Sequence, residues 1–358
     1  MGEFDLIARY FKRPTRRAAL GIGDDCALLQ PSPGTQLAIS CDMLLQGRHF
    51  FADTDPRKLG HKALAVNLSD LAACGAKPLA FTLALALPEV NEPWLAAFAD
   101  GLFELADAHG CELIGGDTTA GPLNICITVF GEVPVVNGRS QALLRSGAKP
   151  GDDLYVSGTV GDARLALDVL LGKLQLPTDI PANANSDATG QNAAAPSRLP
   201  GGSTQVMDFA RARLDAPTPR VALGLALRGI ATAAIDVSDG LLGDLGHILE
   251  HSGVGATVQA DDAINSIAAY ACNTLATGHF LINLSKNQWR ALALAGGDDY
   301  ELLFTAPPHL RGAVEAAALQ SDTPVRRIGC MDAEPGLRVV DAQGQLLPNT
   351  FASFDHFA

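Results

Sequence analysis

The 358-residue sequence has few charged and few aromatic residues, and its cations are outnumbered by its anions. Charged side chains make up 18% of the chain and aromatic ones 6%, whereas hydrophobic side chains make up 47%. With 26 Lys and Arg against 39 Asp and Glu, the formal net charge is −13. Because this excess repels polyanions, the composition argues against non-specific binding to nucleic acid or to an anionic membrane. The length suits one large domain or two ordinary ones.

Several kinds of segment are missing. No run of about 18 apolar residues, enough to cross a membrane, is free of charge, since Arg228 and Asp236 interrupt the best candidate. Residues 1–17 lack the apolar stretch and cleavage site of a secretory signal. The cysteines form neither a CxxC pair nor a zinc-type cluster, so Cys26 is interpreted as packing. We expect a cytoplasmic protein without a transmembrane helix.

The usual nucleotide motifs are missing too, since neither GxxxxGK[ST] nor the HRD and DFG of protein kinases occurs. A bound nucleotide would therefore depend on metal ions, on backbone amides of glycine-rich turns and helix N-termini, and on isolated cations.

Strand and helix patterns alternate in the first part of the chain. Helices are predicted at 55–75, with Asp55 at its start, and at 91–110, with Asn91 as N-cap. The predicted strands are 35–42, 79–88, 111–116 and 123–133.

A turn-like segment at 146–154 predicts a boundary between an N-terminal domain, 1–148, and a C-terminal domain, 149–358. In the second part, residues 232–253 predict strand, turn and helix, 284–297 a helix and 300–307 a strand. Residues 177–203 hold no aromatic side chain and are rich in Ala, Asn, Pro, Gly and Ser, which predicts a flexible surface insertion.

Aspartates recur where an apolar strand or a glycine-rich turn ends. They are Asp25, Asp42, Asp117, Asp236, Asp239, Asp298 and Asp299. Any one alone is typical of a turn or a helix cap, but their recurrence favours carboxylates gathered at one sheet edge. Two such charges about 4 Å apart repel by roughly 4 kcal/mol at an effective dielectric near 20, so divalent cations are expected between them. Oxygen ligands favour magnesium, manganese or calcium. Magnesium binds through few carboxylates and completes its coordination shell with water and phosphate oxygens, which points to a phosphate-bearing substrate.

Three further residues are candidates for the same site. Asp70 is predicted on a helix, where it shares a face with Asn67. Arg145 lies in a turn and is either a phosphate-binding cation or a solvated side chain. His49, seven residues after Asp42, is either packed or part of the site.

Eight segments, in this order and spacing, resemble the thiamine-monophosphate kinase family. They are GEFDLIARYF (2–11), GIGDDCALL (21–29), KALAVNLSDLAACGA (62–76), LIGGDTT (113–119), LLRSGAKPGD (143–152), AIDVSDGLLGDLGHI (234–248), GGDDYELLF (296–304) and FASFDHF (351–357). Together they span nearly the whole chain, and the set is far more specific than any one member.

The resemblance implies an aminoimidazole ribonucleotide synthetase-like fold of two domains, α/β and then α+β. The N-terminal domains would form a shared β-barrel across a homodimer. The implied reaction is phosphorylation of thiamine phosphate by ATP, with several Mg²⁺ ions, to give ADP and thiamine diphosphate. We expect direct in-line transfer without a covalent nucleophile, because an ionised acceptor phosphate needs no strong base.

The resemblance also implies roles for individual residues. The metal ligands would be Asp25, Ser40, Cys41, Asp42, Asp70, Asp117, Asp236 and Asp239. ATP would be bound by Gly116, Asp117, Arg145 and Ser238. Thiamine phosphate would be bound by His49, Asp298 and Phe354.

Three positions depart from the family pattern. Cys41 replaces a Thr or Ser, which is harmless if the backbone carbonyl binds metal and weakens one metal site if the hydroxyl does. Asp298 replaces a glutamate, so its contact with thiamine is lost, shifted or bridged by water. Arg48 adds a positive charge beside the thiamine phosphate site.

Two other functions remain open at this point. One is the chemistry of the sister families, which activate an amide oxygen, a carbamoyl oxygen or selenide with ATP. The other is a non-catalytic dimer that senses nucleotide or binds cations.

The metal-cluster hypothesis predicts that Asp70→Asn lowers turnover by orders of magnitude while the fold stays intact. Steady-state ADP release and a melting curve test this together. Near-wild-type turnover would contradict the cluster, and a large loss of melting temperature would indicate a structural aspartate instead.

Overall fold

The computed structural model describes residues 2–175, 203–270, 282–348 and 351. Phe354 and nearly all of the predicted insertion at 177–203 lie outside the described residues. Within them, no helix is long and apolar enough to cross a membrane.

The N-terminal part of the chain begins with short elements and continues with long ones. The short ones are helix α1 (Glu3–Leu6), a π-helical turn (Ile7–Phe11), and strands β1 (Ala18–Leu20) and β2 (Leu28–Leu29). The long ones are β3 (Thr35–Leu45), α2 (Pro56–Ala73), β4 (Lys77–Leu87), α3 (Glu92–His109), β5 (Glu112–Ala120) and β6 (Asn124–Val136), after which β7 (Arg139–Ser140) pairs with β6.

Both predicted helices of this part are confirmed, with their caps. The Asp55 carboxylate accepts hydrogen bonds from the backbone amides of Arg57 and Lys58 in α2, and the Asn91 side-chain oxygen accepts one from the Trp94 amide in α3. Two glycines then allow the helices to cross closely. A Cβ atom would lie 2.0 Å from the Phe98 carbonyl oxygen if built on Gly60, and 1.8 Å from the Arg57 carbonyl oxygen if built on Gly101.

The N-terminal sheet has the strand order β3-β6-β4-β5. β4 and β5 are parallel, and the other neighbouring pairs are antiparallel. The strand predicted at 35–42 is too short, because the alternation of side chains continues through Leu45. Asp42 therefore lies within β3. Asp117 likewise lies within β5, since that strand runs four residues past the predicted end.

The C-terminal part is built on a second sheet with helices around it. In chain order its elements are β8 (Asp153–Ser157), α4 (Asp162–Leu170), α5 (Ser203–Asp215), α6 (Val221–Ala226), β9 (Ala233–Asp236), α7 (Leu241–Ser252), β10 (Gly255–Gln259), α8 (Ala260–Ile264), α9 (Lys286–Ala295), β11 (Leu302–Ala306), a 3₁₀ turn (Pro308–Leu310), α10 (Arg311–Gln320), β12 (Val325–Asp332) and β13 (Gly336–Val340). The strand order is β13-β10-β12-β8-β11-β9, antiparallel except between β10 and β13.

The prediction of a chain that mixes helices and sheets is confirmed in both parts. The N-terminal sheet is mostly antiparallel, however, and has parallel pairing only between β4 and β5 among the described strands. Both sheets are open, so the described residues of this one chain form no closed barrel.

Helix α2 lies between the two sheets. Its apolar residues, such as Leu64 and Leu68, belong to one buried core that also includes Leu223 of α6 and Phe304 of β11. Gly224 of α6 permits close packing, since a Cβ atom there would lie 2.0 Å from the Ala72 carbonyl oxygen. The helix therefore presents side chains to elements of both parts.

A buried ion pair ties the C-terminal elements together. Glu301 is fully buried and accepts hydrogen bonds from Arg213 at 2.8 Å and from both Nε and Nη2 of Arg220 at 2.6 Å. The Ser157 hydroxyl donates a further bond of 2.6 Å. These donors compensate the charge of the buried carboxylate. The contacts also join four segments at one point, namely α5, α6, β8 and the chain entering β11.

Candidate active site

Carboxylates from three different elements meet beside α2. Asp42 comes from β3, Asp70 from α2 itself, and Asp236 from the last position of β9. The Ser40 hydroxyl donates to Asp70 Oδ2 at 2.5 Å, and the Ser69 hydroxyl donates to Asp236 Oδ2 at 2.8 Å. These bonds join a strand of each sheet to the same helix, β3 through Ser40 and β9 through Asp236.

Asn67, one turn before Asp70, completes the arrangement. Its side-chain oxygen accepts the backbone amide of Asp42 at 3.1 Å, and its nitrogen donates to the Ala63 carbonyl oxygen at 3.0 Å. The side chain is buried and both its polar atoms are satisfied, so it fixes the distance between α2 and β3.

The electrostatics of this cluster is unfavourable in the absence of a cation. Burial, together with the charges of Asp70 and Asp239, raises the pKa of Asp42 to about 6. Asp236 is 5% exposed, and burial together with the charge of Asp70 raises its pKa well above the ordinary value. Burial also raises the pKa of Asp70, which the Ser40 hydrogen bond and Arg145 partly counteract.

The turn after β9 carries Ser238 and Asp239 to the same place. Asp244, one turn into α7, shapes this turn, because its Oδ2 accepts the backbone amides of Ser238, Asp239 and Gly240 at 3.1–3.2 Å. Burial and the charge of Asp239 raise the pKa of Asp244 to about 7. Sequence reasoning missed Asp244, although an aspartate in the first turn of a helix after a Ser-Asp-Gly turn is typical of such a cap.

Two cavities lie on either side of the Asp70–Asp236 pair, and both carboxylates line both of them. The first, of about 290 Å³, is lined among others by Asp42, Asp239, His49, Asp298 and Arg48. The second, of about 340 Å³, is lined among others by Ser40, Cys74, Leu143 and Arg145. The carboxylates thus form a wall shared by two binding spaces.

In the first cavity His49 has a defined tautomer. Its Nδ1 accepts the backbone amide of Leu45 at 3.0 Å, so the proton of the neutral ring lies on Nε2.

Most of the predicted site residues are brought together, and some are not. Asp25 is exposed in the loop between β1 and β2, and Gly116 and Asp117 are exposed on β5; none of the three lines either cavity. The Cys41 side chain is exposed and lies 3.5 Å from Cys126 through the sulfur atoms. Cys26, interpreted from the sequence as packing, is exposed.

Lys62 is a second residue that sequence reasoning missed. It lies two turns before Asp70 on the same face of α2, its side chain is 3% exposed, and its Nζ is 3.0 Å from Asp298 Oδ1. The spacing of eight residues within the helix predicted at 55–75 was the available signal.

The arrangement fits a hydrated divalent ion. Among the residues that the structure describes, no three His, Cys, Asp or Glu side chains converge closely enough to hold an ion alone. The donors at hand are carboxylate and hydroxyl oxygens, which suit magnesium, an ion that retains water and phosphate oxygens in its shell. Asp42, Asp70, Asp236 and Asp239 are the carboxylates that could contribute oxygen ligands to such an ion.

Comparisons with known proteins define the class first. Residues 23–133, which contain β3 to β5 and most of β6, match the family described as AIR synthase related protein, N-terminal domain. The N-terminal sheet is thus of the AIR synthase-related class.

Full-length relatives then give the family. Thiamine-monophosphate kinase of Salmonella typhimurium is 45% identical over 362 residues, covering 100% of this chain and 98% of that protein. The crystal structure of thiamine-monophosphate kinase from Stenotrophomonas maltophilia K279a matches with a TM-score of 0.75 at 44% identity, over 96% of each chain. The chain belongs to the thiamine-monophosphate kinase family.

A more distant structure shares the fold. It is described as AaThiL complexed with AMPPCP and TMP, and it matches with a TM-score of 0.67 at 24% identity, over 92% of this chain and 89% of that one.

Repulsion in the cluster predicts that Asp42→Asn stabilises the metal-free protein. A folded-state pKa of about 6, against 3.8 for the free side chain, means that the folded state binds the proton more tightly. At pH 7.5 the ionised carboxylate therefore costs up to about 3 kcal/mol, and this cost disappears as the pH falls from about 6 to 4.

Melting curves in a chelating buffer at pH 7.5 and pH 4 test this. We expect Asp42→Asn to melt a few degrees higher than wild type at pH 7.5 and equally at pH 4. Asp208→Asn, at an exposed position on α5, is the control and should change nothing. A lower melting temperature for Asp42→Asn at pH 7.5 would contradict net repulsion.

Proposed function

We propose that this protein transfers the γ-phosphoryl group of ATP to thiamine phosphate, giving ADP and thiamine diphosphate. Full-length identity of 45% to a thiamine-monophosphate kinase supports this reaction. The observation that carries it at the site is the carboxylate wall, since two cavities that share Asp70 and Asp236 can bring two phosphate groups to one place.

The chemistry of the linings distinguishes the two cavities. The second combines the cation Arg145 and the hydroxyl of Ser40 with apolar residues such as Leu143, which suits a nucleotide. Ser238, on the turn after β9, would contact the same nucleotide from the first cavity. The first cavity combines His49 with Asp298, which suits an acceptor that carries both a phosphate and a nitrogen heterocycle.

Magnesium is part of the proposal. Asp42, Asp70, Asp236 and Asp239 would hold the ions, whose charge neutralises the transferring phosphoryl group and the acceptor phosphate. Asp25, Asp117 and the carbonyl of Cys41 are proposed as further metal ligands, and Gly116 and Asp117 as further contacts with ATP. Phe354 is proposed to pack on the thiamine.

The chain's own residues position the reactants and supply no nucleophile. A phosphate acceptor is already ionised near neutral pH, so the transfer needs alignment and charge neutralisation more than a base. Direct in-line transfer follows, without a phosphorylated protein intermediate.

We also propose a homodimer that closes the N-terminal sheets into a shared barrel. β3 is an edge strand, and its outer face exposes a row of apolar side chains. Their exposed fractions are 42% for Leu37, 61% for Ile39, 49% for Met43 and 40% for Leu45. An exposed apolar edge strand of this length is normally shielded from solvent by another element. β3 of a second copy could pack against it, because a two-fold symmetric interface places the same surface on both subunits.

The function is tested by ADP release and thiamine diphosphate formation with purified protein, ATP, magnesium and thiamine phosphate. We expect turnover with thiamine phosphate and none with thiamine or with an aminoimidazole ribonucleotide precursor. ATP binding without turnover would instead favour a sensing protein. A kinetically competent ³²P label trapped on the protein would contradict direct transfer.

The dimer is tested by light scattering after size exclusion. Ile39→Lys buries a charge in the proposed interface and should shift the protein toward a monomer. Leu319→Lys is the matched control, because Leu319 is 84% exposed on α10, away from β3. A dimer that withstands Ile39→Lys at micromolar concentration would exclude β3 as the contact.

A further inference from the structure

Lys62 is a buried cation that the proposed reaction does not use. Its side chain is 3% exposed, although lysine is rarely buried this fully unless it is paired. The Nζ atom lies 3.0 Å from Asp298 Oδ1 and 3.5 Å from the His49 carbonyl oxygen. It therefore connects two residues of the first cavity that approach from different elements.

Asp298 is held in an unusual conformation. Its φ is +65°, in the left-handed region that favours glycine, and Tyr300 has a φ of +51°. The backbone amide of Asp298 donates to the Ser238 carbonyl oxygen at 2.9 Å. This hydrogen bond holds the strained backbone of Asp298 in a conformation that places its carboxylate in the first cavity.

The two oxygens of the Asp298 carboxylate are used differently. Oδ1 accepts from Lys62 Nζ and also from the Tyr300 hydroxyl at 3.2 Å. Oδ2 accepts no hydrogen bond from the residues that the structure describes, and the side chain is 29% exposed and lines the cavity. One oxygen is anchored, and the other remains for a ligand.

We infer that Lys62 is a positioning residue that fixes Asp298 so that Oδ2 accepts the exocyclic amine of the acceptor's aminopyrimidine ring. This inference rests on the proposed function. The Lys62 charge cancels that of Asp298, so the carboxylate selects a hydrogen-bond donor and not simply a cation. A site built to accept a hydrogen bond rejects analogues that lack the donor, because its own polar atom is then left unpaired.

The test compares two acceptors and four variants. The acceptors are thiamine phosphate and its 4-oxo-pyrimidine analogue, which lacks the amine. The variants are Lys62→Met, Asp298→Asn, the double variant, and Lys58→Met as control. Lys58 is on the same helix, its side chain is 45% exposed, and it pairs with Asp215 outside the cavity.

Lys62→Met should raise KM for thiamine phosphate about tenfold and change kcat less than threefold. Preference for thiamine phosphate over the analogue should fall by a similar factor. Because Lys62 acts through Asp298, the double variant should be no worse than the worse single variant. Lys58→Met should match wild type.

Other results overturn the inference. One is that Lys62→Met leaves either the KM for thiamine phosphate or the preference for thiamine phosphate over the analogue unchanged. Another is that the effects of the two single substitutions on KM add in the double variant. Lys62→Gln, which keeps a donor without the charge, serves if Lys62→Met does not fold, and should give an intermediate KM. A wild type that forms no thiamine diphosphate overturns the proposed function and this inference together, whereas an active wild type with an unaffected Lys62 variant overturns the inference alone.

Discussion

Repulsion between Asp42, Asp70 and Asp236 is the constraint on which the rest of the molecule depends. Burial raises the pKa values of all three carboxylates, and the charge of Asp70 raises those of Asp42 and Asp236 further. Without other contacts, carboxylates that repel one another in this way would adopt rotamers that expose them to solvent. Hydrogen bonds from Ser40 and Ser69, and the packing of α2 between two sheets, hold them in place. Stability is thus reduced locally where a cation and phosphates are expected to bind, as is common at active sites.

The GGDDYELLF segment shows how one motif serves both fold and site. Asp298 faces the cavity. Asp299 is fully buried and accepts the Gly161 backbone amide at 2.9 Å with both oxygens, and Glu301 is enclosed by Arg213 and Arg220. Two fully buried acidic side chains thus follow the strained backbone at Asp298 and tie it to the C-terminal part, Asp299 through a backbone amide and Glu301 through two arginines.

Local signals explain what the sequence could predict. The helix limits followed from caps such as Asp55 and Asn91, whose chemistry acts within one turn. The predicted ends of β3 and β5 were wrong, because no local sequence signal marks where a strand stops pairing with its neighbour. Asp42 and Asp117, predicted at strand ends, lie inside these strands. The recurrence of aspartates predicted a cluster, yet it could not separate Asp236, which joins it, from Asp25, which lies in an exposed loop. Lys62 was missed because its partner is 236 residues away.

Helix α2 also sets a fixed distance between Lys62 and Asp70. Lys62, Val66 and Asp70 follow one another at intervals of four residues along α2, so about 12 Å of rigid helix separates the first from the last. Val66 and Asp70 line the first cavity, and Lys62 contacts Asp298, which also lines it. If Asp298 holds the ring and the carboxylate wall holds the phosphate, this span sets the distance between ring and phosphate in any acceptor.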